Sequence, residues 1–114
     1  MNLNELFTLV IPVRDRHYNL PSIVKYYTNR PYRKIIYDAS IRPYKGDLGD
    51  LEYFHAGPEF QHKSYLRAYQ MVTTPYLLNC PDDDIMTQSS IEQCVQFLED
   101  NPGYSVCDGE VVEW

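Results

Sequence analysis

A single α/β domain on a mostly parallel sheet is predicted by three features: apolar runs of strand length, amphipathic segments of helical period between them, and turn residues at the junctions. The 114 residues suffice for one hydrophobic core and leave no room for a second, so residues 1–114 read as one unit. Hydrophobic residues at 44% and charged residues at 23% match ordinary globular chains, which argues against disorder.

Residues 7–13, Phe-Thr-Leu-Val-Ile-Pro-Val, form a near-continuous apolar run that suits a central strand covered on both faces. Pro21 then fits the first turn of a helix, and Leu20, Ile23, Val24 and Tyr27 repeat with helical spacing until about Asn29. Residues 34–37 read as a second strand ending in Asp38-Ala39-Ser40. A loop carrying Pro43, Gly46 and Gly49 leads to a short third strand over residues 51–55. Tyr65, Ala68, Tyr69 and Val72 mark a second helix, closed before Pro75, and residues 76–80 are a fourth strand running into Asp82-Asp83-Asp84. The third helix carries a Ser89-x-x-Glu92 capping box and an apolar stripe of Ile91, Cys94, Val95 and Leu98, and stops at Asn101-Pro102-Gly103. Residues 104–107 read as a fifth strand, followed by an apolar tail with Val111, Val112 and Trp114. Alternating strands and helices imply a Rossmann-like three-layer α/β/α arrangement with ligands outside the carboxyl ends of the strands. Arg14 to Arg16, Asp38 to Ser40 and Asp82 to Asp84 all follow strands, so they should share one rim.

Sixteen acidic against ten basic residues give a formal charge of −6, the wrong sign for binding nucleic acid or an anionic membrane. No apolar run approaches the length of a membrane span and the start lacks a signal-peptide pattern, so a soluble, cytoplasmic protein is expected. Cys80, Cys94 and Cys107 fit neither a disulfide framework nor zinc-ligand pairs and read as reduced. His17, His55 and His62 have no metal spacing and read as loop or surface residues. Ser40 and Ser64 lack an identifiable base partner, so a nucleophilic hydrolase has no support.

Three adjacent carboxylates repel one another unless a cation neutralises them, and hard oxygen ligands suit Mg²⁺ or Mn²⁺. In an extended chain Asp82 and Asp84 would point the same way. Taken alone, the competing reading is a solvated acidic turn.

The order of these pieces resembles family 2 glycosyltransferases. The run from Phe7 to Arg16 resembles their opening strand and loop, and Ile35-Ile36-Tyr37-Asp38-Ala39-Ser40 resembles their second strand. Thr74-Pro75-Tyr76-Leu77-Leu78, Asp82-Asp83-Asp84-Ile85 and the following helix resemble their strand, Asp-x-Asp motif and helix. The resemblance spans nearly the whole chain. It implies a GT-A fold, a nucleotide-diphosphate sugar as donor, a divalent cation on the diphosphate, and a saccharide or lipid-linked acceptor. By this resemblance Arg14, Asp15 and Arg16 flank the base, Asp38 with Ser40 meets the base or ribose, and Asp82, Asp83 and Asp84 serve the ribose and the metal, Asp82 and Asp84 being the metal candidates.

Two departures from the family stand out. Where it often has Gly-x-x-x-Ala-Arg-Asn before the fourth strand, this chain has Phe60 to Leu66, leaving Lys63 and Arg67 as candidates for phosphate contacts against a reading as solvated helix charges. Pro81 stands where the family often puts its first Asp. The acceptor site and catalytic base of the family lie beyond the fifth strand, so this chain is expected to be the N-terminal donor-binding half, inactive in transfer by itself. A non-catalytic nucleotide- or saccharide-binding module is the alternative, and the apolar C-terminal edge suggests self-association. An Asp-x-Asp-x-Thr phosphotransferase is disfavoured because Met86 stands two residues beyond Asp84. A response-regulator receiver is disfavoured because the first strand is followed by one Asp between two Arg residues.

Overall fold

Strand β1 (Phe7–Val13) lies inside the sheet, and every residue except Pro12 is buried, as an apolar run covered on both faces requires. The computed structural model describes residues 1–59 and 61–109. A short helix α1 (Leu3–Leu6), capped by the Asn2 side chain, precedes β1 and was not legible in the sequence. After β1 a 3₁₀ turn (His17–Asn19) leads into α2 (Leu20–Tyr27), with Pro21 in its first turn. Asn29 adopts φ 70°, the left-handed conformation that commonly ends a helix, and its N–H meets Asp50 Oδ2 at 3.1 Å.

Strands β2 (Arg33–Asp38), β3 (Glu52–His55) and β4 (Tyr76–Asn79) complete a sheet of order β3-β2-β1-β4 in which every pairing is parallel. The fold is therefore α/β. Helices α3 (Gln61–Gln70) and α4 (Gln88–Asp100) flank β4 in the chain. Alternate residues of β1 serve different partners, as the two-residue period of a strand dictates. Leu9, Ile11 and Val13 cluster with Leu20, Ile23, Val24 and Tyr27 of α2 and with Ile91 and Val95 of α4. Val10 instead joins Tyr37 of β2 and Ala68 of α3. Leaving any one of these aliphatic side chains exposed would forfeit about 1.5–3 kcal/mol.

The register places Val13 opposite Asp38 and Asp38 opposite His55. On the other side of β1, Asn79 lies opposite Val10, and the Cys80 N–H continues the ladder to Val10 O at 2.8 Å. All four strands thus end at one rim. Between β1 and β4 the strand order reverses, which opens a crevice at the carboxyl ends of parallel strands.

Two expectations are corrected. The fifth strand over residues 104–107 does not form. The Tyr104 N–H closes a turn on Asn101 O at 3.0 Å, its ring packs edge-on against Phe97 of α4 at 5.2 Å, and Tyr104 and Val106 are largely exposed. The segment pairs with no strand, and the outer edge of β4 has no strand partner among the described residues. The capping box is also displaced. Thr87, extended at φ −74° and ψ 148°, is the N-cap and accepts from the Ser90 N–H, while Ser89 lies inside the helix and Glu92 is held by Gln88. Cys80, Cys94 and Cys107 are free thiols. No helix of the described residues is long and apolar enough to cross a membrane. The side chain of His62 and the tail residues Val111, Val112 and Trp114 lie outside the described residues.

Candidate functional site at the carboxyl rim

The loop after β1 meets the loop after β2 through Asp15. This residue adopts φ 57°, tolerated by Asp better than by most residues, and its N–H donates to Ser40 Oγ at 2.7 Å. Its carboxylate Oδ1 accepts the Ile41 N–H at 3.3 Å, and the Ala39 N–H donates to Val13 O at 2.9 Å. Asp15 and Ser40, both sequence-predicted site residues, are therefore brought together, and they tie two loops.

The loop after β1 also meets the turn after β4. Arg16 Nη2 donates to Asp82 Oδ1 at 2.5 Å and Asn19 Nδ2 donates to Asp82 Oδ2 at 3.1 Å. The Asp82 side chain has no exposed surface, whereas 43% of Arg16 is exposed. A second Arg16 nitrogen lies 3.7 Å from Asp83. The chain is not extended here. The Asp84 N–H donates to Pro81 O at 3.1 Å, closing a tight turn that buries Asp82 and leaves Asp83 and Asp84 in solvent. The expectation that Asp82 and Asp84 point the same way is corrected for that reason.

Asp38 is fully buried. Its Oδ1 accepts the Ser40 N–H at 3.0 Å, and its Oδ2 accepts the Tyr53 hydroxyl at 2.5 Å and His17 Nε2 at 2.8 Å. Burial pushes this carboxyl up, but the hydrogen bonds from Ser40, Tyr53 and His17 outweigh it and hold the group below its ordinary value. Burial and the hydrogen bond to Asp38 push the Tyr53 phenol up to about 12. His55 Nε2 lies 2.8 Å from Ser40 O, so two histidines read from the sequence as loop or surface residues both brace the rim.

Between the ends of β1 and β2 and helix α3 lies a cavity of about 490 Å³, lined by Arg14, Arg16, Tyr37, Tyr65 and Asp83 among others. Glu59 organises its wall, accepting Tyr37 OH at 2.7 Å, Ser64 Oγ at 3.1 Å and Arg67 Nη1 at 2.8 Å. Those donors hold its carboxyl below the ordinary value. Arg14 Nη1 reaches Glu59 O at 3.3 Å. Lys63 is exposed on α3 and no hydrogen bond or ion pair ties it to the rim among the described residues. Arg67 is turned to Glu59, leaving its candidacy for phosphate without support from the geometry.

A larger cavity, about 830 Å³, lies by the N-terminal segment, Pro31 and α4. Its side chains supply one carboxylate, Glu92, and no cationic group, so convergent polar chemistry favours the rim. The signals that sequence reasoning missed are His17, Asn19, Tyr53 and Glu59. Each acts through a partner distant in the chain, and none carries a motif.

Among the described residues no group of three or more His, Cys, Asp or Glu side chains is arranged to hold a metal ion. Asp82, with both oxygens engaged by Arg16 and Asn19, does not fit as a ligand. Asp83 and Asp84 are exposed beside it in the same turn. Comparison of the chain with protein-family models, with curated proteins and with solved structures returns no match.

Proposed function

We propose that this chain is the donor-binding part of a glycosyltransferase, with a Rossmann-like three-layer fold of GT-A type, and that it holds a nucleotide-diphosphate sugar at the carboxyl rim for transfer to a saccharide or lipid-linked acceptor. One observation supports this reading above the others. The polar turns after β1, β2 and β4 are hydrogen-bonded to one another where the order of a parallel sheet reverses, the place where such sheets bind ligands. Arg14 and Arg16 line the adjacent cavity and supply cationic contacts for an anionic ligand.

Mg²⁺ or Mn²⁺ would be held by Asp84 and Asp83 and would neutralise charge on the diphosphate. Asp82 instead anchors Arg16 and the turn, and Asp38 with Ser40 supports the loops beneath the ligand.

The test is thermal denaturation of the chain with UDP, GDP, CDP or dTDP, each with Mg²⁺ or with a chelator. At 100 times the dissociation constant the matching nucleotide should add about 2.7 kcal/mol of stability, with the metal present. Equal stabilisation in chelator would remove the metal from the reading. No stabilisation by any nucleotide would remove the reading itself.

A further inference from the structure

The segment that follows α4 doubles back along the helix. The Asn101 side chain donates to Phe97 O at 2.8 Å, and the Tyr104 N–H closes the turn on Asn101 O at 3.0 Å. From there the chain meets α4 at three successive places. The Tyr104 ring packs edge-on against Phe97 at 5.2 Å, and the Cys107 and Cys94 thiols lie within hydrogen-bonding reach of each other. Gly109 then stands beside Ser90, whose hydroxyl would be 3.7 Å from a Cβ placed there. Ser90, Cys94 and Phe97 are four and three residues apart, so they share one face of the helix, and the segment runs down that face towards the helix start. Cys94 and Cys107 are both partly exposed, whereas Cys80 is buried with its sulfur 3.8 Å from the Tyr27 hydroxyl. Burial and the hydrogen bond with Cys107 push the Cys94 thiol up to about 11.

We propose that Cys94 and Cys107 are a dithiol pair that a small-molecule disulfide converts into a bridge, fixing residues 101–109 to α4. The thiolate of one cysteine attacks a sulfur of the small disulfide and expels the other half as a thiolate. The second cysteine attacks the mixed disulfide and expels the remaining half. Two electrons pass from the pair to the oxidant, and the two protons end on the two small thiols released. Cys80 takes no part, because its sulfur is covered. The bridge holds Gly109 at the N-terminal end of α4, the end that follows the turn of Asp82 to Asp84.

The experiment oxidises the full reduced chain with glutathione disulfide, in buffer and in urea, and maps the bridges by mass spectrometry. Chymotrypsin cuts at Phe97 and Tyr104, between the two cysteines, so a bridge appears as a joined pair of peptides. Cys80–Cys94 and Cys94–Cys107 close loops of nearly equal length, so the unfolded chain should form both. The folded chain should form Cys94–Cys107 at least about tenfold in excess and keep Cys80 as a free thiol. Oxidation should raise the thermal midpoint by at least about 4 °C, reversibly with dithiothreitol, and Cys107→Ser should abolish that rise. The proposal is overturned by the same mixture of bridges in buffer as in urea, by a bridge between two chains, or by three thiols that stay free. An equal rise in folded Cys107→Ser overturns it as well.

Discussion

Removing the Arg16 guanidinium leaves Asp82 buried with one neutral donor, the Asn19 amide. Truncating one partner of a fully buried ion pair costs about 3–5 kcal/mol, but Arg16 is partly solvated, so Arg16→Ala should cost about 1–3 kcal/mol in urea denaturation. A loss under about 0.5 kcal/mol would show that Asp82 does not depend on this pair. Asp84 faces solvent in the same turn. Asp84→Asn should change stability by less than about 0.5 kcal/mol while abolishing the Mg²⁺ dependence of nucleotide binding. If metal-dependent binding survives, Asp83 or another group holds the cation. The three carboxylates are obvious in the sequence, but their division into one buried anchor and two solvated groups is not. That division depends on Arg16, 66 residues earlier in the chain, and on a turn that ends the extended backbone. Lys34 makes the same point. It is buried within β2, with its ammonium on Arg30 O at 2.9 Å and near Asp50, a partner supplied by the loop before β3.

Helix α4 tests where a helix start is set. Its N-cap is Thr87, whose hydroxyl oxygen accepts the Ser90 N–H. Thr87→Ala should cost about 1 kcal/mol, and Ser89→Ala less than about 0.5 kcal/mol, in thermal or urea unfolding. The reverse order of costs would restore the capping box at Ser89. The Ser89-x-x-Glu92 spacing pointed to Ser89, but the cap belongs to the hydroxyl residue that stands extended before the first turn, and that is Thr87. The buried stripe of Ile91, Val95 and Leu98 was legible because it needs only the 3.6-residue period. The expected strand at residues 104–107 carried a plausible strand pattern, yet its Tyr104 packs on Phe97 of α4 and the segment joins no sheet. Strand formation needs a neighbour, and that is a tertiary condition.

For the whole molecule the pH dependence follows from three carboxyls held below their ordinary values. Asp38 is held down by Ser40, Tyr53 and His17 against its burial, and Asp50 by Lys34 and the Asn29 N–H against its burial. Glu59 is held down chiefly by the Tyr37 hydroxyl, with Ser64 and Arg67. A depressed folded pKa means that the unfolded chain binds protons first as the pH falls. The stabilisation is complete above the unfolded values near about 4, and is lost as the pH drops through the folded ones. Unfolding free energy should therefore be level at about pH 6 and fall steeply below about pH 4. Asp38→Asn should lower neutral-pH stability by about 2–3 kcal/mol, since it weakens charge-assisted hydrogen bonds, and should flatten the acid slope. An unchanged slope would place the acid sensitivity in Asp50 and Glu59 alone.

By itself the sequence determined the parallel α/β class, the four strands, the apolar stripes of the helices and the clustering of polar turns at one rim. These follow from local period and from the rule that parallel strands end together, and neither requires knowledge of distant partners. Only the tertiary structure decided that Asp82 is an anchor, that Asp38 is covered and holds His17 and Tyr53, and that Glu59 braces the cavity beside α3. A buried carboxylate must collect donors from wherever the fold brings them, and for Asp38 those came from the loop after β1, from β3 and from its own turn. No local pattern encodes such a meeting, because its cost and its compensation arise on elements separated in sequence and joined only by packing.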